Sequence, residues 1–152
     1  MKSLANQSDR EEILRRVAAL RADSPRQWGK MTAHQMMCHV NDSYASAMGL
    51  RKASSVANFF TRTVMKWGGL YGLMPWPHGV PTRPEAEQGK GGTPPLEFET
   101  DRAALNATIE RFTAGKPEFT WAAHPFFGEM SVRDWMRWGY LHADHHLRQF
   151  SA

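Results

Sequence analysis

The chain of 152 residues, 41% apolar and 22% charged, has the size and composition of one globular domain with a core of its own. Its single cysteine, Cys38, excludes an internal disulfide, and its net charge of +4 is carried by scattered Lys and Arg residues rather than by a nucleic-acid-binding run. The N-terminus MKSLANQSDREE turns polar where a leader needs an apolar stretch, and the most apolar region, 56–73, is broken by Asn58, Arg62 and Lys66, so the expectation is a cytoplasmic protein without a membrane span.

Ser8-Asp9-Arg10-Glu11 has the form of a capping box, and Ile13, Leu14, Val17 and Leu20 recur at helical spacing, which predicts a first helix over 9–22. Ser24-Pro25 stops it, and Gly29 marks a turn. A second box, Thr32-Ala33-His34-Gln35, opens a helix to about Met48, with Met36, Val40, Tyr44 and Ala47 along one stripe and Gly49 ending it. Residues 54–73 can form a third helix, its apolar face made of Phe59, Phe60, Val64 and Trp67. Pro75, Pro77, Pro81, Pro84, Pro94 and Pro95, mixed with glycines, then predict a long irregular crossover, of a kind that is usually either functional or poorly ordered. Asp101 begins another helix, with Leu105, Ile109 and Phe112 inward and an end near Gly115. After a linker containing His124-Pro125-Phe126-Phe127-Gly128, Ser131 and Asp134 form a third box and open a helix that runs almost to the C-terminus. No segment alternates at the strand period over strand length. The expected fold is therefore all-α: a single domain over 1–152, with four long amphipathic helices in a bundle and one extra helix in the crossover.

The last helix reads Leu141-His142-Ala143-Asp144-His145-His146-Leu147-Arg148-Gln149. Four residues make slightly more than one turn, so His142 and His146 lie one above the other and can converge on one ion. His145 also reaches His142 at a spacing of three, and spacing alone does not choose between them. Trp135 and Trp138 continue the stripe, so this face looks inward, where several neutral imidazoles are hard to satisfy without an ion. A third ligand must come from another helix. His39, on the edge of the second helix's apolar stripe, is the best placed, whereas His34 in the first turn of that helix is expected to be exposed.

These features together resemble the DinB-like superfamily, in its branch with a His-Pro-x-Phe-Gly element before the last helix. The resemblance rests on Trp28-Gly29-Lys30-Met31-Thr32 leading into Met36-Met37-Cys38-His39, and on His142-x-x-His145-His146-x-x-Gln149; it covers nearly the whole chain. It implies a four-helix bundle in up-down-down-up order with one long crossover. It also implies a metal held by His39, His142 and His146, and not by His145. The Pro-rich insert after residue 74 departs from the simplest members and suggests a different substrate pocket.

Three neutral imidazoles leave a divalent ion, zinc or nickel first and iron or manganese next, with its charge intact and a position open. Such an ion can lower the pKa of bound water, polarise a substrate oxygen or hold a thiolate. The resemblance adds thiol-dependent transferases and isomerases as precedents. The expected function is thus a metal-dependent transferase, isomerase or hydrolase acting on a small molecule, with a low-molecular-weight thiol as a candidate co-substrate and a homodimer as a candidate assembly. The rival is a non-catalytic metal- or ligand-binding, stress-related protein of the same fold. His124 is a candidate catalytic base, fourth ligand or structural hydrogen bonder, with the structural role slightly ahead. Cys38, about 100° around the helix from His39, reads as a core residue rather than a nucleophile. Gln149 and Asp144 are candidates for orienting ligand rings, with a solvated Asp144 the simpler case. Metal affinity is expected to fall as pH drops through about 6.5.

Overall fold

A computed structural model describes residues 1–72, 75–80 and 82–152, and among these the chain is all-helical. Helix α1 spans Gln7–Ala19, α2 Ala33–Ala47, α3 Lys66–Tyr71, α4 Phe98–Phe112 and α5 Val132–Arg148. A π turn, Thr61–Met65, runs directly into α3, and a single 3-10 turn, Pro84–Ala86, interrupts the crossover. The only strand-like feature among the described residues is an isolated bridge between His124 and Gly128. Among the described residues no helix is long and apolar enough to cross a membrane.

Two of the three expected capping boxes form. The Thr32 hydroxyl accepts from the Gln35 amide while the Gln35 side chain accepts from the Thr32 amide, and Ser131 and Asp134 repeat the arrangement at α5. The box at Ser8 does not form. Helix α1 begins at Gln7 with Asn6 as an N-cap whose side chain accepts from no amide of the first turn. Asp9, the expected second residue of that box, is buried instead. It accepts from the Ser3 amide at 3.0 Å and from Asn6 Nδ2 at 2.9 Å and pairs with Lys2 at 2.9 Å, so it ties the N-terminal segment to the helix. Helix α4 also starts earlier than Asp101, because the Glu97 carboxylate caps the Glu99 and Thr100 amides. Its inward residues, Leu105, Ile109 and Phe112, are buried as expected.

The third helix differs most. It is helical only from Phe59 to Tyr71, its expected end at residue 73 lies outside the described residues, and the expected apolar face is in solvent. Phe59 is 84% exposed and Trp67 69%, whereas Thr61 and Leu70 are the buried positions. Spacing groups these residues on one face but does not decide which way that face points, and the segment turns Thr61 and Leu70 to the core instead.

Helix α5 packs against α1, α2 and α3, while α2 packs against α4 and α5 and touches the Pro84–Ala86 turn. Helices α2 and α5 approach closely at Gly139, whose carbonyl accepts from Tyr44 Oη at 2.7 Å. A Cβ at Gly139 would lie 2.8 Å from Leu4 Cδ1 and 3.0 Å from Phe112 Cε1. Gly139→Ala would gain up to about 1 kcal/mol of helix propensity but lose about 1–3 kcal/mol to overpacking. Net destabilisation is expected, seen as a lower urea midpoint at unchanged slope.

Candidate metal centre

The close approach of α2 and α5 brings His39 against His142 and His146. One nitrogen from each ring lies within 4.8 Å of one from each of the others. The ring centroids are 5.4 Å apart for His39 and His142, and 4.7 Å for each of the other two pairs. All three rings are buried, none more than 8% exposed. Trp138 stacks on His142 at 4.7 Å, and Tyr44 and Trp76 close further sides of that ring.

Neighbouring groups fix the tautomers. His39 Nδ1–H donates to the Ala86 carbonyl at 3.2 Å, and His146 Nδ1–H donates to Gln149 Oε1 at 2.9 Å. Each bond leaves the Nε2 lone pair of its ring free, the usual way in which outer groups orient metal-ligating histidines. His142 Nδ1 is buried with no hydrogen-bond partner. Three Lewis bases thus meet with a polar atom left unsatisfied, an arrangement that fits a divalent ion and costs stability without one. Burial holds the His39 imidazole below its ordinary pKa against the opposing pull of the Ala86 bond. Burial, then mutual repulsion, holds His142 and His146 well below theirs. The rings are therefore neutral at pH 7, and a metal competes with protons only further into the acid range than the expected 6.5.

The groups that hold Ala86 over His39 carry little sequence signal. Asp42, only 2% exposed, accepts from the Thr93 amide and hydroxyl, both at 2.7 Å, and pairs with Arg51 at 3.2 Å. Arg51 in turn donates to Thr93 Oγ1 at 2.9 Å and to the Gly91 carbonyl at 2.8 Å. This knot fastens the crossover across the end of the cluster. On another side, Gly29 (φ 85°) lets the turn after Trp28 pass close to Gln149, whose Nε2 would sit 2.9 Å from a Cβ there. Gln149→Ala removes the acceptor of His146 and is expected to weaken metal affinity about 10–100-fold, measured by chelator competition, without moving the unfolding midpoint of the metal-free protein as far.

His145 is half-buried outside the cluster, its ring 6.2 Å from Trp28, 6.1 Å from Trp76 and 6.0 Å from His78. His124 also lies outside, with Trp138 between it and His142. Its Nδ1 accepts from the Phe126 and Phe127 amides at 3.2 and 3.1 Å, and its ring stacks on Phe127, so it organises the His-Pro-Phe-Phe-Gly turn. Burial, then nearby Lys66, pushes its pKa down to about 3. Asp144 is not simply solvated: it pairs with Arg16 of α1 at 2.8 Å and Arg148 at 3.1 Å. His34 is not exposed either, because Asp101 Oδ2 meets its Nε2 at 2.6 Å. Cys38 is buried, and burial together with Asp101 pushes its thiol up to about 12, so it is no resident nucleophile.

An all-helical chain with a buried, pre-oriented three-histidine cluster between two of its helices defines a candidate metal-binding helical protein. The chain belongs to the family described as protein of unknown function (DUF1569), whose profile matches residues 2–152. Comparison with curated proteins and with solved structures returns no match.

Proposed function

We propose that this protein is a metal-dependent enzyme that holds a divalent ion, zinc or nickel in the first place, on His39, His142 and His146. In this reading the fold is a DinB-like four-helix bundle in up-down-down-up order, built from α1, α2, α4 and α5, with the long crossover between α2 and α4. The observation that carries it is the convergence of three neutral imidazoles, two of them with Nδ1 already engaged by Ala86 and Gln149. A ligand set without carboxylate or thiolate leaves the ion its full charge, and when bound it supplies Lewis acidity to a substrate oxygen, a water or a thiol. The reaction is thiol-dependent transfer or isomerisation, or hydrolysis, of a small molecule. The thiol is external, because Cys38 is buried and protonated. His124 keeps the structural role that its two amide bonds describe.

One observation favours a second reading, a non-catalytic metal- or ligand-binding protein. The crossover is fastened over the cluster, and the three rings are nearly sealed. Metal analysis of protein purified without an affinity tag, followed by a screen of low-molecular-weight thiols against electrophiles and of hydrolysable esters and amides, separates the two. Turnover that is lost in His142→Ala supports the enzyme. A metal-loaded protein that turns over nothing favours the second reading, and a protein that takes up no metal overturns both.

A further inference from the structure

Helix α2 carries Cys38 and His39 in succession, about 100° apart around its axis. The His39 side meets α5. On the side that meets α4, His34 and Cys38 stand one turn apart, repeating the four-residue spacing of His142 and His146, and Asp101 of α4 completes a second group of three donors. One nitrogen, the sulfur and one carboxylate oxygen of this group lie within 4.8 Å of one another.

We infer that His34, Cys38 and Asp101 form a second divalent-metal site, of thiolate-imidazole-carboxylate type, that ties α2 to α4. Three features carry this. The group collects a soft, an intermediate and a hard donor from two helices, a set that suits zinc or cobalt and discriminates against magnesium and calcium. No Lys or Arg among the described residues pairs with Asp101, whose one ion-pair partner is His34. The Cys38 sulfur lies within 4.8 Å of both the His34 nitrogen and the Asp101 carboxylate, whose Oδ2 also accepts from the Leu96 amide at 2.9 Å. The site also has an entry: the His34 and Asp101 side chains are 19% and 15% exposed, so water can fill the remaining position while Cys38 stays buried. Asp101 lies in the first turn of α4, where the positive helix end favours a carboxylate. Binding releases the thiol proton to solvent as the sulfur–metal bond forms, and no electron is transferred.

Cobalt(II) titration of the whole chain reads this site separately from the three-histidine cluster, because only a thiolate gives the intense near-ultraviolet sulfur-to-cobalt charge-transfer band and Cys38 is the only cysteine. The band is expected in the parent protein and in the His39→Ala/His142→Ala double variant. It should vanish in Cys38→Ser and weaken at least tenfold in affinity in His34→Ala and Asp101→Asn. Circular dichroism identifies any variant that has lost its fold, and protection of the Cys38 thiol from alkylation by zinc in the parent protein supplies a reading without substitution. Absence of the band and of zinc protection in the folded parent would overturn the site, as would a band indifferent to Asp101→Asn and His34→Ala.

Discussion

Replacing His146 with alanine should remove tight binding at the three-histidine cluster, whereas His145→Ala should leave most of it. On the helix alone the two rings are separated from the axis of His142 by about 40° and about 60°, which is almost no preference. The fold separates them decisively. His146 is buried within 4.7 Å, centroid to centroid, of both His39 and His142, and its Nδ1 is held by Gln149. His145 turns instead toward Trp28, Trp76 and His78. Outer groups that only orient a ligand are worth about 10–100-fold in affinity, so loss of a ligand itself should exceed about 100-fold. Calorimetric titration with zinc checks this, performed in a Cys38→Ser background so that the second site does not contribute. Equal losses in the two variants would overturn the assignment.

Without metal, the stability of the chain should fall steeply as pH drops below about 6.5. Burial depresses the pKa values of His39, His124, His142 and His146, so the folded state keeps these rings neutral where the unfolded chain takes up protons. The unfolded state then binds more protons, and stability rises with pH; it is fully present above the unfolded value of about 6.5 and is lost progressively below it. Each ring contributes at most about 1.4 kcal/mol per pH unit, and a whole domain commonly has only about 5–15 kcal/mol. The metal-free protein should therefore unfold or open its cluster before about pH 5, while saturating zinc moves the loss to lower pH. Urea midpoints at several pH values, with and without chelator, measure both effects. A midpoint that stays flat down to pH 5 would show that the rings protonate inside the fold.

Several elements were legible in the sequence because their signals are local. Thr32 with Gln35 and Ser131 with Asp134 cap the helices that carry all three histidines, and the four-residue spacing puts two of those rings on one face. What escaped depends on partners far along the chain. Asp9 sits in a capping-box pattern but bonds to Lys2, Ser3 and Asn6. The acceptor of His39 is a backbone carbonyl 47 residues away, and any residue type supplies one. Nothing in the sequence near His34 announces Asp101, 67 residues on, which takes its ring out of solvent. Phe59, Phe60, Val64 and Trp67 share a face as their spacing requires, but spacing does not say whether that face meets the core, and here it meets solvent.

The most direct measurement is the zinc content of Cys38→Ser protein, purified without a tag and dialysed against a weak chelator, beside the same protein carrying His39→Ala, His142→Ala and His146→Ala. One equivalent of tightly held zinc in the first and none in the second is the expected result. Equal zinc in both, with both folded by circular dichroism, would contradict a metal centre built on His39, His142 and His146.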